Sequence, residues 1–243
     1  MLNIDKIIAD IKNLSWQERL YFIVKNYQNI TFSTSFSIED QIICDEIFQN
    51  NLNIEVFAID TGRLPSATYK LWQETLDKYQ KTIKAFYPDA QKITDFVEND
   101  GINSFYNSLE LRHKCCHIRK VEPLKKALKN KEIWISGVRK EHNLNRKDKN
   151  LLEFDESLDI IKFYPILDLN EDEIWEYIKK NNIPYNKLYN EGYKSIGCDP
   201  CSRAVKDGED ARSGRWWWES DNKQECGLHM VNGKLVRSNN KDK

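Results

Sequence analysis

Apolar residues recur at three- and four-residue intervals through the first thirteen positions of the chain, and again from Trp16 to about Tyr27. That period puts them on one face of a helix. Ser15 precedes the second run as a cap, and Glu18 three positions on completes a capping box, so helices are predicted over residues 4–13 and 16–27. The period drops to two across residues 29–36, where T-F-S-T-S-F alternates as a short strand, and S-I-E-D-Q-I-I-C-D-E-I-F follows as a helix. The dense run I-E-V-F-A-I (residues 54–59) predicts a buried strand, closed by the turn D-T-G-R-L-P at 60–65 and followed by a helix over 66–79.

Further strands are predicted over residues 81–87, 133–138 and 158–164, the last closed by Pro165. Helical patterning begins at 91–97 and recurs from Cys116 to Lys129, where Pro123 predicts a kink or a late start. Asn170 caps an amphipathic helix reaching Lys180, with Ile174, Trp175 and Ile178 on its apolar face. This alternation predicts an α/β fold, a mostly parallel sheet with helices on both faces. Ligands of such folds sit beyond the carboxyl ends of strands, which selects the segments after Phe36, Ile59 and Val138. Patterning fades after Tyr189. Residues 1–204 therefore read as one α/β domain with N-terminal helices, and 205–243 as a flexible C-terminal tail, although Trp216, Trp217 and Trp218 must dock somewhere.

Composition narrows the setting. With 40% hydrophobic and 31% charged residues, 243 positions suffice for a large core without staples. A net charge of −1 supplies no general field for nucleic acid or an anionic membrane. The opening M-L-N-I-D-K carries charges where an export signal is apolar, and no apolar run is long enough to span a bilayer, so a cytoplasmic protein is expected. Six cysteines then argue for metal, catalysis or burial before disulfides.

Two cysteine clusters stand out. Neighbouring Cys115 and Cys116, in C-C-H-I-R-K, make a poor disulfide. Cys198 and Cys201, in G-C-D-P-C, are spaced to share one centre, and together the four match the ligand count of zinc or an iron–sulfur cluster. Vicinal thiolates converge awkwardly on a single zinc, whereas a [4Fe–4S] cube offers each its own iron, and that steric preference favours the cluster. Arg112, Lys114, Arg119, Lys120 and a helix beginning near Cys116 would offset its negative charge. Cys44, within an apolar helix, reads as inert. Cys226, in Q-E-C-G-L-H, is either an idle surface thiol or a nucleophile that His229 helps to hold as thiolate.

An anion site is the other candidate. S-F-S-I-E-D-Q (residues 35–41) sits at a strand-to-helix junction whose hydroxyls and free N–H groups suit phosphate or sulfate, although the same pattern is an ordinary helix cap. It lacks the glycines and lysine of a P-loop. The turn after Ile59 adds Arg63, and V-R-K-E-H-N-L-N-R adds Arg139, Lys140, His142 and Arg146. Three strand-end loops bringing hydroxyls and cations to one sheet edge predict an anionic small-molecule ligand. Arg139 and Arg146 are favoured for bidentate contacts.

These segments, with D-T-G-R-L-P-x-x-T-Y, C-C-H-I-R-K-V-E-P-L, I-G-C-D-P-C, G-R-W-W-W-E and E-C-G-L-H in order from about residue 30 to 229, resemble the assimilatory phosphoadenylyl/adenylyl-sulfate reductases. Within that family the chain is similar to the cluster-containing branch acting on adenosine 5′-phosphosulfate. The resemblance implies an adenine nucleotide alpha hydrolase-like fold and a [4Fe–4S] cluster on Cys115, Cys116, Cys198 and Cys201, one per subunit. It implies Cys226 as nucleophile and Lys120 as the link from cluster to substrate sulfate. Ser35, Phe36, Ser37, Asp60, Arg63, Arg139 and Arg146 are its expected substrate-binding residues, with Lys120, Arg139 and His229 assisting catalysis. Thioredoxin as reductant and a homo-oligomer follow from the same resemblance. The alternatives are a 3′-phosphorylated or dual substrate, an adenylating or sulfur-transferring enzyme of the same fold, and a metal-stabilised binding protein.

Overall fold

The computed structural model describes residues 4–142 and 149–219. The N-terminal helices are α1 (Ile4–Ile11) and α2 (Trp16–Asn26), the latter opened by the expected Ser15–Glu18 capping box. The chain then alternates through β1 (Ile30–Thr34), α3 (Ile38–Gln49), β2 (Glu55–Ile59), α4 (Ser66–Tyr79), β3 (Lys84–Phe86) and α5 (Ala90–Asp100). It continues through α6 (Leu109–Cys116), α7 (Glu122–Leu128), β4 (Ile133–Ile135), β5 (Leu152–Asp155), β6 (Ile160–Phe163) and α8 (Glu171–Lys180).

The strands form one six-stranded sheet in the order β3-β2-β1-β4-β6-β5, parallel except for β5 at the edge. Alternation along each strand divides the core between its two faces. In β4, Ile133 and Ile135 join the larger cluster with Phe32, Ile42, Phe163 and Ile174, while Trp134 turns to a smaller one with Phe57, Leu124 and Leu128. That division fixes the register, because a one-residue slip would exchange the faces. Among the described residues, no helix is long and apolar enough to cross a membrane.

Helix α3 is buried from Ile38 to Phe48, on its polar side as well as its apolar one. Its buried carboxylates are met by phenols: Tyr79 donates to Asp45 at 2.6 Å, and Tyr21 and Tyr177 donate to Glu46 at 2.5 and 3.2 Å. These bonds offset the desolvation that would otherwise exclude acids from a central helix. A rigid helix therefore starts directly behind β1.

One expectation here needs correcting and a second holds. The helix predicted from Cys116 begins at Leu109, where the Ser108 hydroxyl accepts the Leu111 N–H at 3.1 Å. Cys115 and Cys116 thus occupy the last turn of α6, not a helix N-terminus, and receive no positive dipole end. Pro123 falls in the first turn of α7, the late helix start expected there. A π-helical turn at His117–Val121 joins α6 to α7, with the Glu122 N–H donating to the His117 carbonyl. This wider turn shifts the hydrogen-bond ladder just where proline brings no donor.

Candidate active site

Strand order reverses between β1 and β4, because the chain leaving β1 moves to β2 on one side while β4 lies on the other. Such a switch point leaves a crevice at the carboxyl ends of the strands. A cavity of about 310 Å³ opens there, bordered by Ser33 to Ser37 at the end of β1 and beyond it, and by Ser136 to Val138 after β4.

The turn after β1 is strained and tightly held. Phe36 has φ +61, an unusual backbone for an aromatic residue, while its buried ring packs 5.0 Å from that of Trp72. Thr34 Oγ1 accepts the Phe36 N–H at 3.1 Å. Asp40 Oδ2 accepts both the Ser35 N–H at 2.6 Å and the Ser35 hydroxyl at 2.7 Å. Ser37 caps α3 by accepting the Asp40 N–H at 3.3 Å. Burial pushes the Asp40 carboxyl up to about 6, although the Ser35 bonds pull the other way.

Gly137 brings the end of β4 against this turn. A Cβ there would overlap Asp40 Oδ1 and lie 2.9 Å from Glu39 Cβ. Gly137→Ala is therefore expected to cost about 1–3 kcal/mol by overpacking. A lowered thermal midpoint, with KM rising more than kcat falls, is the measurement that checks it.

The other expected residues separate into groups. Lys120 borders the large cavity together with Ser35, Phe36 and Ser37. Arg139 lies off its lining, 1% exposed, with Nε and Nη2 each 3.0 Å from Glu39 Oε1 and Nη1 2.6 Å from Glu141 Oε2. Asp60 shapes its own turn, accepting from the Gly62 N–H at 2.8 Å and the Tyr69 hydroxyl at 2.7 Å. Arg63 donates to the Ile102 carbonyl and Asn103 Oδ1, both at 2.8 Å, and its guanidinium lies 5.2 Å from the Phe105 ring centre. Arg146, Cys226 and His229 lie outside the described residues.

The cavity also holds cations that sequence reasoning passed over: Lys162, Lys194, Arg212 and Arg215. Lys162 projects from β6 beside the Trp134 ring and pairs with Asp155 of β5. A lysine amid the apolar residues of a predicted central strand was the available signal. Arg215 stacks 4.6 Å from the Trp216 ring centre and donates to the Cys201 carbonyl at 3.1 Å. Trp216 is 1% exposed, so the tryptophan segment docks through its first member.

The iron–sulfur expectation is overturned. Cys115, Cys116, Cys198 and Cys201 do border one small cavity, with Arg63, Arg119 and Lys120, but its volume is about 10 Å³, room for one water and not for a cluster. Among the described residues, no group of three or more His, Cys, Asp or Glu side chains is arranged to hold a metal ion. Consecutive residues of a helix point about 100° apart, which separates Cys115 from Cys116. All four are free thiols. Burial pushes Cys115 up and Cys201 up to about 12. Cys198 differs: burial raises it, but Lys120, the Thr61 hydroxyl 3.3 Å away, Arg215 and Arg119 together bring it below the ordinary thiol range. The residues present do not fit a [4Fe–4S] group. Lys120 borders both cavities.

Comparison with known proteins agrees with this architecture. A family model for the phosphoadenosine phosphosulfate reductase domain matches residues 29–204. The adenosine 5′-phosphosulfate reductase of Neisseria meningitidis serogroup A is 43% identical over 223 residues, covering 90% of each chain. That of Agrobacterium fabrum is 42% identical, covering 92% of this chain and 86% of its own. Among solved structures, the phosphoadenylyl-sulfate reductase of Candida auris in a phosphate complex superposes with a TM-score of 0.72 at 28% identity, covering 83% of this chain and 96% of that one. With the switch-point cavity, its serine turn and its ring of cations, these matches establish that the chain belongs to the phosphoadenosine phosphosulfate reductase family.

Proposed function

We propose that the protein reduces adenosine 5′-phosphosulfate to sulfite and AMP in sulfate assimilation, through an S-sulfocysteine on Cys226 and with thioredoxin as the dithiol donor. The activity follows from family membership and from curated relatives named for this substrate. The observation that carries the site is that the 35–37 turn and Lys120 open onto one cavity.

In this reading the Cys226 thiolate attacks the sulfur of the substrate. The new S–S bond forms as the sulfur–oxygen bond to phosphate breaks, and AMP departs with that electron pair. A thioredoxin thiolate then attacks Cys226 Sγ and sulfite leaves with the bonding pair. The second thioredoxin thiol resolves the mixed disulfide and regenerates the Cys226 thiolate. Two electrons pass from the dithiol to sulfur.

Ser37 presents its hydroxyl and N–H to the sulfated phosphate, while Ser35 and Phe36, whose donors are taken by Asp40 and Thr34, shape the turn around it. Lys120, Lys162, Lys194, Arg212 and Arg215 supply positive charge where negative charge grows on the departing phosphate. Arg139 acts at one remove, holding Glu39 behind the turn. His229, three positions after Cys226, helps to keep the nucleophile ionised. The five described cysteines are free, in keeping with a reducing cytoplasm.

The test is intact mass after incubation with adenosine 5′-phosphosulfate and no reductant. A gain of about 80 Da on Cys226 with release of one AMP is expected for a trapped sulfonate. Active protein without that adduct would sink the mechanism. A parallel incubation with the 3′-phosphorylated compound tests the alternative substrate, and adduct formation at equal rate would make the enzyme dual.

A further inference from the structure

We propose that Asp40 is the positioning residue of the anion-binding turn. Its carboxylate holds Ser35 and Phe36 in the conformation that receives the substrate, and it takes up a proton as the anion enters. The proposal rests on the reading that residues 35–37 meet the sulfated phosphate.

The geometry supports a dedicated role. A backbone at φ +61 in a phenylalanine persists only where its surroundings impose it. Here the residue just before Phe36 is tied by two bonds to one oxygen, Asp40 Oδ2. Asp40 itself cannot drift, because α3 is buried along its length and its own N–H is fixed by Ser37. The other oxygen, Oδ1, abuts Gly137, so one carboxylate joins the turn after β1 to the turn after β4. Those are the two walls of the switch-point cavity.

The electrostatics give this carboxylate a second consequence. The titratable groups coupled to it are Glu39 and Cys44 on α3 and Tyr189 from the turn at Lys187–Glu191. The turn contributes the neutral hydroxyls of Ser35 and Ser37, the loop after β4 brings the backbone of Gly137 against it, the positive charge of Arg139 is engaged by Glu39, and Lys120, Lys162, Lys194, Arg212 and Arg215 border the same cavity. An arriving anion adds like charge to a carboxyl already raised to about 6, so its pKa rises further and a proton is taken from solvent. Oδ2 retains both bonds from Ser35 while Oδ1 carries the proton.

Three variants of the full chain are compared: wild type, Asp40→Ala and Asp40→Asn. Asparagine keeps one carbonyl oxygen for the two Ser35 donors but cannot titrate. Asp40→Ala is expected to raise KM for adenosine 5′-phosphosulfate at least about tenfold while kcat stays within about threefold, the pattern of lost binding geometry. Asp40→Asn should stay within about threefold of wild type in KM. Calorimetric titration with AMP at pH 6.5, in two buffers of different ionisation enthalpy, should show more protons taken up by wild type than by Asp40→Asn, the difference cancelling the ionisation of AMP's own phosphate, whose second pKa is about 6. If Asp40→Ala does not fold, the asparagine variant decides alone. Unchanged KM in the alanine variant, a tenfold rise in the asparagine variant, or equal proton uptake by wild type and Asp40→Asn would each overturn the proposal. A wild type that shows no saturable turnover would instead overturn the underlying reading of the site, and the proposal with it.

Discussion

Cys226→Ser is expected to abolish sulfite release, lowering kcat by about three orders of magnitude or more, while AMP still binds and the thermal midpoint is unchanged. The change replaces one atom, the one that attacks the substrate sulfur in the proposed mechanism. A serine hydroxyl is hardly ionised near neutral pH, and its oxygen, once sulfated, would offer the thioredoxin thiolate no sulfur–sulfur bond to exchange. No sulfonate should therefore accumulate on the variant, even though the turn at 35–37 and Lys120 are untouched. Quenched-flow measurement of AMP release without reductant checks the first step separately from the second. Survival of the burst in Cys226→Ser would move the nucleophile elsewhere. The described thiol next in line is then Cys198, which Lys120, Thr61, Arg215 and Arg119 hold below the ordinary thiol range. Retained activity would make a Cys198→Ser variant the decisive comparison.

The regular elements were legible because local and tertiary signals agreed. The helix predicted over 66–79 is α4 to the residue, and Ser15–Glu18 and Asn170–Glu173 both form capping boxes. Strand β5 escaped notice because L-E-F-D is short and follows a polar stretch, and its place at the antiparallel edge is set by pairing with β6. The start of α6 was missed because its apolar pattern is weak: Arg112 is buried there and Glu110 and Lys114 surround it, so periodicity did not mark the helix face. The site divides on similar lines. Serines and glycines at a strand end announce themselves by position, which is how Ser35 and Ser37 were found. Arg139 could not be placed from sequence, since whether an arginine faces ligand or carboxylate depends on where Glu39 and Glu141 lie. The cluster expectation failed for a related reason. Ligand count and spacing describe which thiols can meet, but rotation along α6 and the packing of Phe105 and Trp216 determine the space between them.

Arg112→Ala carries the largest expected structural effect. Its guanidinium is fully buried, donating to Glu219 Oε1 at 2.6 Å and Oε2 at 2.9 Å while lying 4.6 Å from the Trp216 ring centre. Glu219 is itself 9% exposed, so truncating the arginine leaves a carboxylate without its fork donor in a site that water scarcely reaches. Breaking a buried pair in this way costs about 3–5 kcal/mol. The chain has a cheaper outlet, because residues 212–219 can lift from the body and return Glu219 to solvent. The loss should therefore appear as local release before global unfolding. Tryptophan emission should shift to the red as Trp216 leaves the cluster formed with Phe105, Cys198 and Cys201, and protease should cut between 203 and 219. Arg212 and Arg215 border the anion cavity from the same segment, so KM for adenosine 5′-phosphosulfate should rise along with exposure of Trp216. Combining Arg112→Met with Glu219→Leu removes both charges together and should recover most of the stability, since a well-packed apolar pair is no worse than a buried ion pair. A single variant with unchanged emission and protease resistance would show that Trp216 is held by stacking on Arg215 without help from the ion pair, and that the segment closes the cavity on its own packing.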